Sequence, residues 1–140
     1  MSTAERNTRQ RDAIKAALES AQRPLSTQEI LEAANAQVQG LGIATIYRNL
    51  KSFLQSGEIA QVSMPGDSPR YELSGHGHHH HFHCTRCDRL FDVHQCPGDL
   101  KNLAPQGFTV ERHELTLYGV CADCKNHPTQ APDHARQPAA

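Results

Sequence analysis

The chain has 140 residues, 37% hydrophobic and 21% charged, with a formal net charge of −1; that suits one ordinary domain or two small ones and excludes a large multidomain enzyme. A pI near 6.8 provides no global basic field, so a nucleic-acid partner has to be held by a local patch. Trp is absent and aromatics make up 5%, which argues against a large aromatic-lined cofactor pocket, and no apolar run approaches the roughly 18–20 residues that span a bilayer.

The start, Met1 to Arg11, is polar and lacks the apolar stretch of a secretory signal, so a cytoplasmic location and no membrane partner are expected. Thr8 reads as the N-cap of a first helix, with Ile14, Ala17 and Leu18 at helical spacing and Pro24 closing it. Ser26-Thr27-Gln28-Glu29 is a capping-box pattern opening a second helix with Ile30, Leu31 and Ala34 on its apolar face. Gly40 and Gly42 mark a turn. A third helix is predicted from Ala44 to Gln55, with Ile46, Leu50, Phe53 and Leu54 inward and Gly57 as its stop. Ile59 to Met64 and Arg70 to Leu73 read as strands around the turn Pro65-Gly66-Asp67-Ser68-Pro69.

Three helices followed by a hairpin outline a winged helix-turn-helix, although any small helical module gives similar periodicity. The outer face of the third helix favours the DNA-binding reading. Thr45, Tyr47, Arg48, Asn49 and Lys51 are the residue types that reach base edges and phosphates. The patch is modest, since the segment up to Ser63 carries seven Lys/Arg and six Asp/Glu.

Composition changes abruptly at Ser74 to Gly77. The predicted organisation is a DNA-binding domain over 1–74, a hinge at 75–77, a metal-binding domain over 78–125 and a disordered tail over 126–140. The fold class expected is α+β. In the second half, strands are predicted at Phe82–Cys84, Leu90–Val93 and Phe108–Tyr118, the last alternating through Val110, Arg112, Glu114 and Thr116. A short helix should run from Pro97 toward Leu103.

All ten His fall between His76 and His134, and the five Cys stand at 84, 87, 96, 121 and 124. An odd Cys count without an export signal speaks against a disulfide framework. Cys84-x-x-Cys87 and Cys121-x-x-Cys124 supply four thiolates, which satisfy tetrahedral Zn²⁺ completely and describe a structural site, one ion per chain. A redox dithiol would need a thioredoxin-like strand-helix frame, which is missing. The 33 intervening residues imply a small sheet clamped between the pairs.

His78-His79-His80-His81 is internal and runs straight into Cys84, so it is not a terminal affinity tag. A loose low-complexity tract is the plainer alternative. Alternation along an extended segment sends His78 and His80 to one side and His79 and His81 to the other, so the run can serve two sites. Cys96 has two even readings, a half-buried hydrophobe before a helix or a soft ligand beside His94. His127 and His134 read as solvated.

The segment Gly42-Ile43-Ala44-Thr45-Ile46-Tyr47-Arg48-Asn49-Leu50, the block His78 to Cys87 and the closing Leu117-Tyr118-Gly119-Val120-Cys121-x-x-Cys124 resemble, in the right order, the ferric uptake regulator family of bacterial metal-sensing repressors. The resemblance extends from Thr8 to Cys124 and is strongest to the zinc uptake branch. It implies a homodimer with an N-terminal winged helix and a C-terminal α/β dimerisation domain, bound to a double-stranded DNA operator and regulated by zinc or iron. It places a regulatory metal at His78, His80, Asp99 and His113, with Asp99 where family members usually carry Glu. A second, hinge-proximal metal would use Glu72, His81 and His79 or Asp92. Pro24 stands where iron-type members have a His, and Ser74 where a zinc-type pattern has Cys, with His76 and Cys96 as substitutes. The function implied is a zinc-responsive repressor of metal-uptake genes. An iron-responsive repressor is the nearest alternative, and peroxide sensing is disfavoured because its iron site would also want the N-terminal His.

From other classes, a His-rich storage or chaperone protein would not need the Thr45–Lys51 surface. An enzyme is not expected: no His-Glu-x-x-His, deaminase signature, phosphate loop or nucleophile elbow occurs.

Overall fold

The computed structural model describes residues 2–127, and the chain divides into two compact units, the second beginning at Gly77. The first unit comprises α1 (Thr3–Ala21), α2 (Thr27–Asn35), α3 (Ile43–Ser56) and a hairpin of β1 (Ile59–Val62) and β2 (Arg70–Leu73). No helix among the described residues is long and apolar enough to cross a membrane.

α1 starts earlier than the sequence suggests. Ser2 Oγ accepts from the Glu5 amide (3.2 Å) while Glu5 Oε2 accepts from the Ser2 amide (2.8 Å), a reciprocal box that Thr8 cannot offer because Arg11 stands three residues on. Thr8 sits inside the helix and donates to the Ala4 carbonyl. The helix ends at Ala21 with Gln22 left-handed, two residues before Pro24. α2 opens on the expected Ser26–Glu29 box. The α2–α3 turn is pinned by one side chain: Asn35 donates to the Leu41 carbonyl (3.2 Å) and accepts from its amide (2.8 Å). α3 ends at Gly57, whose φ of +79° is a conformation that a side chain would strain.

Ile14, Leu18, Ile30, Ala34, Ile46, Leu50 and Phe53 from the three helices close over Leu25, Ile59 and Tyr71. Leu54 packs at the edge of this core. The hairpin is antiparallel from Ile59↔Leu73 to Val62↔Arg70, ending before Met64, and Leu25 bridges to Tyr71 through two 2.8 Å hydrogen bonds. This is a winged helix-turn-helix.

The second unit holds β3 (His80–Cys84), β4 (Leu90–Val93), β5 (Thr116–Gly119) and a short α4 (Ala122–Asn126) that sequence reasoning missed. Its sheet runs β4-β3-β5, with β4 antiparallel and β5 parallel to β3. The long strand expected over Phe108–Tyr118 is confined to its last residues. β3 begins at His80 and the ladder starts at His81↔Thr116, so residues 108–115 have no ladder partner there despite their alternation. The expected helix after Pro97 is only a 3₁₀ turn, Lys101–Leu103: Gly98 at φ +95° breaks the first turn, and Asp99 Oδ1 accepts from the Lys101 amide instead. Asn126 closes α4 rather than opening a tail. The rest of the expected tail, residues 128–140 with His134, lies outside the described residues.

Candidate metal centres and nucleic-acid interface

Both Cys pairs sit at the same end of the sheet because β3 and β5 run parallel and each leads directly into one pair. Cys84 pairs with Gly119, and Cys121 follows two residues later. Close approach of the strands needs Gly119: a Cβ there would meet the Phe82 ring at 3.0 Å. The Thr85 amide donates to the Gly119 carbonyl (2.7 Å), and the Cys121 amide to Cys84 Sγ (3.3 Å). The four sulfurs lie within 4.8 Å of one another, with Cys84, Cys121 and Cys124 buried. Burial pushes the Cys84 thiol up, but amides of Cys87, Cys121 and Arg86 outweigh it and bring it to about 6. Burial and thiol neighbours push Cys124 up to about 12. Arg89, unremarked in the sequence, donates to Cys87 Sγ (3.1 Å) and Cys121 Sγ (3.7 Å), placing a cation beside a site whose four thiolates would leave Zn²⁺ with net negative charge.

The His run alternates as expected. On one side, His78 and His80 meet His113 and Cys96, with one ligand atom of each within 4.8 Å of the others. His78 Nε2 and His113 Nε2 are 3.2 Å apart. Cys96 Sγ lies 3.2 Å from His113 Nε2, 3.3 Å from His80 Nε2 and 3.6 Å from His78 Nε2. His80 is buried, and burial followed by the neighbouring His78 and His113 holds its pKa below the usual imidazole value. Its Nδ1 accepts from the Leu115 amide (3.2 Å).

Asp99, the carboxylate expected here, is not in this group. It is exposed and turned to Lys101, accepting from its amide (3.0 Å) and pairing with its ammonium (3.1 Å). Cys96, expected at the other site or in a half-buried apolar role, is exposed, precedes no α-helix and stands where Asp99 was placed.

On the opposite side of β3, His79 Nε2 and His81 Nε2 each lie 3.5 Å from Asp92 Oδ1 on β4. His79 Nδ1 donates to the Gly77 carbonyl (2.9 Å), which leaves Nε2 with its lone pair toward Asp92, the tautomer a ligand needs. Glu72 belongs to the first unit, where it is buried on β2. His83, next in the run, pairs with Asp88 at 2.6 Å, and His94 and His76 are exposed.

α3 buries Ile46, Leu50 and Phe53 and turns Tyr47, Arg48 and Lys51 outward, Tyr47 being 54% exposed. Arg48 donates to Thr45 Oγ1 (3.0 Å) and Asn49 Nδ2 to the Thr45 carbonyl (2.9 Å), so these two are half-committed within the helix.

A model of the ferric uptake regulator family matches residues 2–118. Over 123 residues the chain is 32% identical to the peroxide-responsive repressor PerR of Staphylococcus epidermidis, covering 86% of this chain and 81% of that protein. Among solved structures it resembles the ferric uptake regulator of Francisella tularensis with iron (28% identity, 83% and 91% of the two chains, TM-score 0.64). It also resembles FurB of M. tuberculosis, a zinc uptake regulator (28% identity, 87% and 97%, TM-score 0.50).

Proposed function

The chain belongs to the ferric uptake regulator family, and from that premise we propose that it is a zinc-responsive, homodimeric repressor that binds an operator of metal-uptake genes. The reading is that of a cytoplasmic regulator, not an enzyme. One observation carries it: a single small unit holds both a closed four-thiolate cluster and a separate cluster of three imidazoles without a carboxylate. Four thiolates suit an ion that stays, whereas imidazoles suit one that exchanges, and nitrogen donors favour zinc over the oxygen-preferring metals.

The residues supply the response. His78 and His80 stand at the start of β3, and His113 just before β5, so closing the three rings on one ion ties both segments together. Regulation requires the loaded state to bind DNA better than the empty one, and that difference in affinity is the only source of the switch. The bound ion would supply charge and a fixed tetrahedral geometry. α3 then presents Tyr47, Arg48 and Lys51 to a major groove, and a second copy presents the same helix to the next half-site. Exposed Leu117 and Tyr118 on the edge strand β5, with exposed Phe108, support a partner copy covering this unit.

A second reading has its own support. His79, His81 and Asp92 form a nitrogen and oxygen donor set, which suits iron. Selecting tight duplexes from a random pool and titrating them with metal separates the two. Zinc should tighten a palindromic duplex at least about tenfold, a coupling of about 1.4 kcal/mol, and iron should not. Tightening by iron alone supports the second reading, and equal affinity in every metal and in chelator overturns both.

A further inference from the structure

We propose that Cys96, as a thiolate, is the fourth ligand of the His78–His80–His113 centre and biases it toward zinc, cobalt and cadmium and against iron and manganese. The assignment rests on the reading of that cluster as the exchangeable metal site.

Geometry is the first ground. A tetrahedral ion with Zn–N near 2.05 Å and Zn–S near 2.3 Å sets its ligand atoms about 3.3 Å apart for N···N and about 3.6 Å for N···S. The cluster already shows 3.2 Å between His78 and His113, and 3.2, 3.3 and 3.6 Å from Cys96 Sγ to the three Nε2 atoms. These match four of the six edges of such a tetrahedron to within about 0.4 Å.

The alternatives fail on geometry as well. Asp99 is directed to the Lys101 amide and ammonium. A packing role for Cys96 would need burial, and the side chain is exposed. The other four Cys belong to the four-thiolate cluster, so Cys96 is not needed there. The Gly98 amide lies 3.4 Å from Cys96 Sγ and donates to it, a contact that helps hold the sulfur in place.

Chemistry supplies the selectivity. With a carboxylate, three imidazoles would make a nitrogen and oxygen site open to iron and manganese. With a thiolate they make a softer site, for which zinc, cobalt and cadmium compete better.

The test is a Co²⁺ titration of the full chain, reduced and anaerobic, with its four-thiolate site already filled by zinc. The parent should take up one cobalt per chain with tetrahedral visible bands and a near-ultraviolet sulfur-to-cobalt charge-transfer band. Cys96→Ser should lose the charge-transfer band and bind cobalt at least about tenfold more weakly, while Asp99→Asn titrates like the parent. Tetrahedral bands without charge transfer in the parent, or a charge-transfer band that survives in Cys96→Ser, would overturn the thiolate ligand and leave the imidazole site standing. Loss of binding in Asp99→Asn with Cys96→Ser unaffected would overturn it in favour of the carboxylate. If the zinc-filled parent takes up no cobalt, the regulatory reading itself falls.

Discussion

At the residue scale, His80 faces two demands that conflict. A ring accepting the Leu115 amide at Nδ1 carries its neutral-form proton on Nε2, yet ligation through Nε2 requires that proton to move to Nδ1. An Nδ1–H cannot accept from an amide, so loading must break the Leu115 contact. We expect the Leu115 amide resonance to be among those moving most when zinc is titrated past the four-thiolate equivalent; an unmoved resonance would show that His80 is no ligand. Glu29 makes a second residue-scale prediction. Burial pushes its carboxyl up, but Arg23, the Ser26 amide and Arg70 outweigh burial and hold it below the ordinary value. A lowered folded value means stability that is present above the unfolded carboxylate range, near ~4.3, and lost as pH falls through the folded value. Glu29→Gln keeps the acceptor the Ser26 box needs but loses the charge that faces Arg23 and the buried Arg70, so it should cost about 1–3 kcal/mol at pH 7 and flatten the acid limb. Denaturant melts at pH 7 and at lower pH check this, and an unchanged acid limb would assign it to another carboxylate.

At the scale of elements, α3 and the β3–β5 pair carry separate predictions. Replacing Tyr47 and Arg48 by Ala should weaken the selected duplex by about 1–3 kcal/mol per lost base contact, more strongly than it weakens random DNA, with metal content unchanged. Equal loss on both DNAs would make the helix a phosphate contact only. Cys121→Ser should unfold the second unit, visible as loss of the dimer in sedimentation while the helices of the first unit persist, because the short β3–β5 ladder and the Thr85–Gly119 hydrogen bond are too few to hold together strand ends so far apart in sequence without the ion. Elements were legible where their signals are local. The Ser26 box, the periodicity of Ile46, Leu50 and Phe53, the Gly57 stop and the β4 bounds all come from neighbours within a few residues. The misses share one cause. Whether Thr8 or Ser2 caps α1, whether 108–115 finds a strand partner and whether Gly98 breaks a helix depend on competing or distant groups. The same holds at the metal centres: alternation separates His78 and His80 from His79 and His81, whereas the choice of Cys96 over Asp99 is made by the loop that Gly98 and Lys101 shape.

At the scale of the whole molecule, the two centres should come apart experimentally. Replacing both His80 and His113 by Ala should leave one tightly held zinc per chain and the dimer intact, and abolish the tightening of DNA by zinc. Retained zinc sensitivity would move the switch to His79, His81 and Asp92. The parallel pairing of β3 with β5 also has a consequence in time. The two Cys pairs are brought together across a separation of 37 residues between Cys84 and Cys121, and a parallel pair of this kind has no hairpin from which to zip. During synthesis the first pair would emerge with only half a coordination shell, while the winged helix, whose core residues all precede Gly77, is free to fold. On the proposed reading, completion of the second unit would therefore wait for the last strand and for an ion to close the loop. In a cell short of zinc, newly made chains would stall as a folded reader with an unfinished dimerisation unit. Scarcity would then lower the supply of competent repressor at birth, before the exchangeable site has anything to sense.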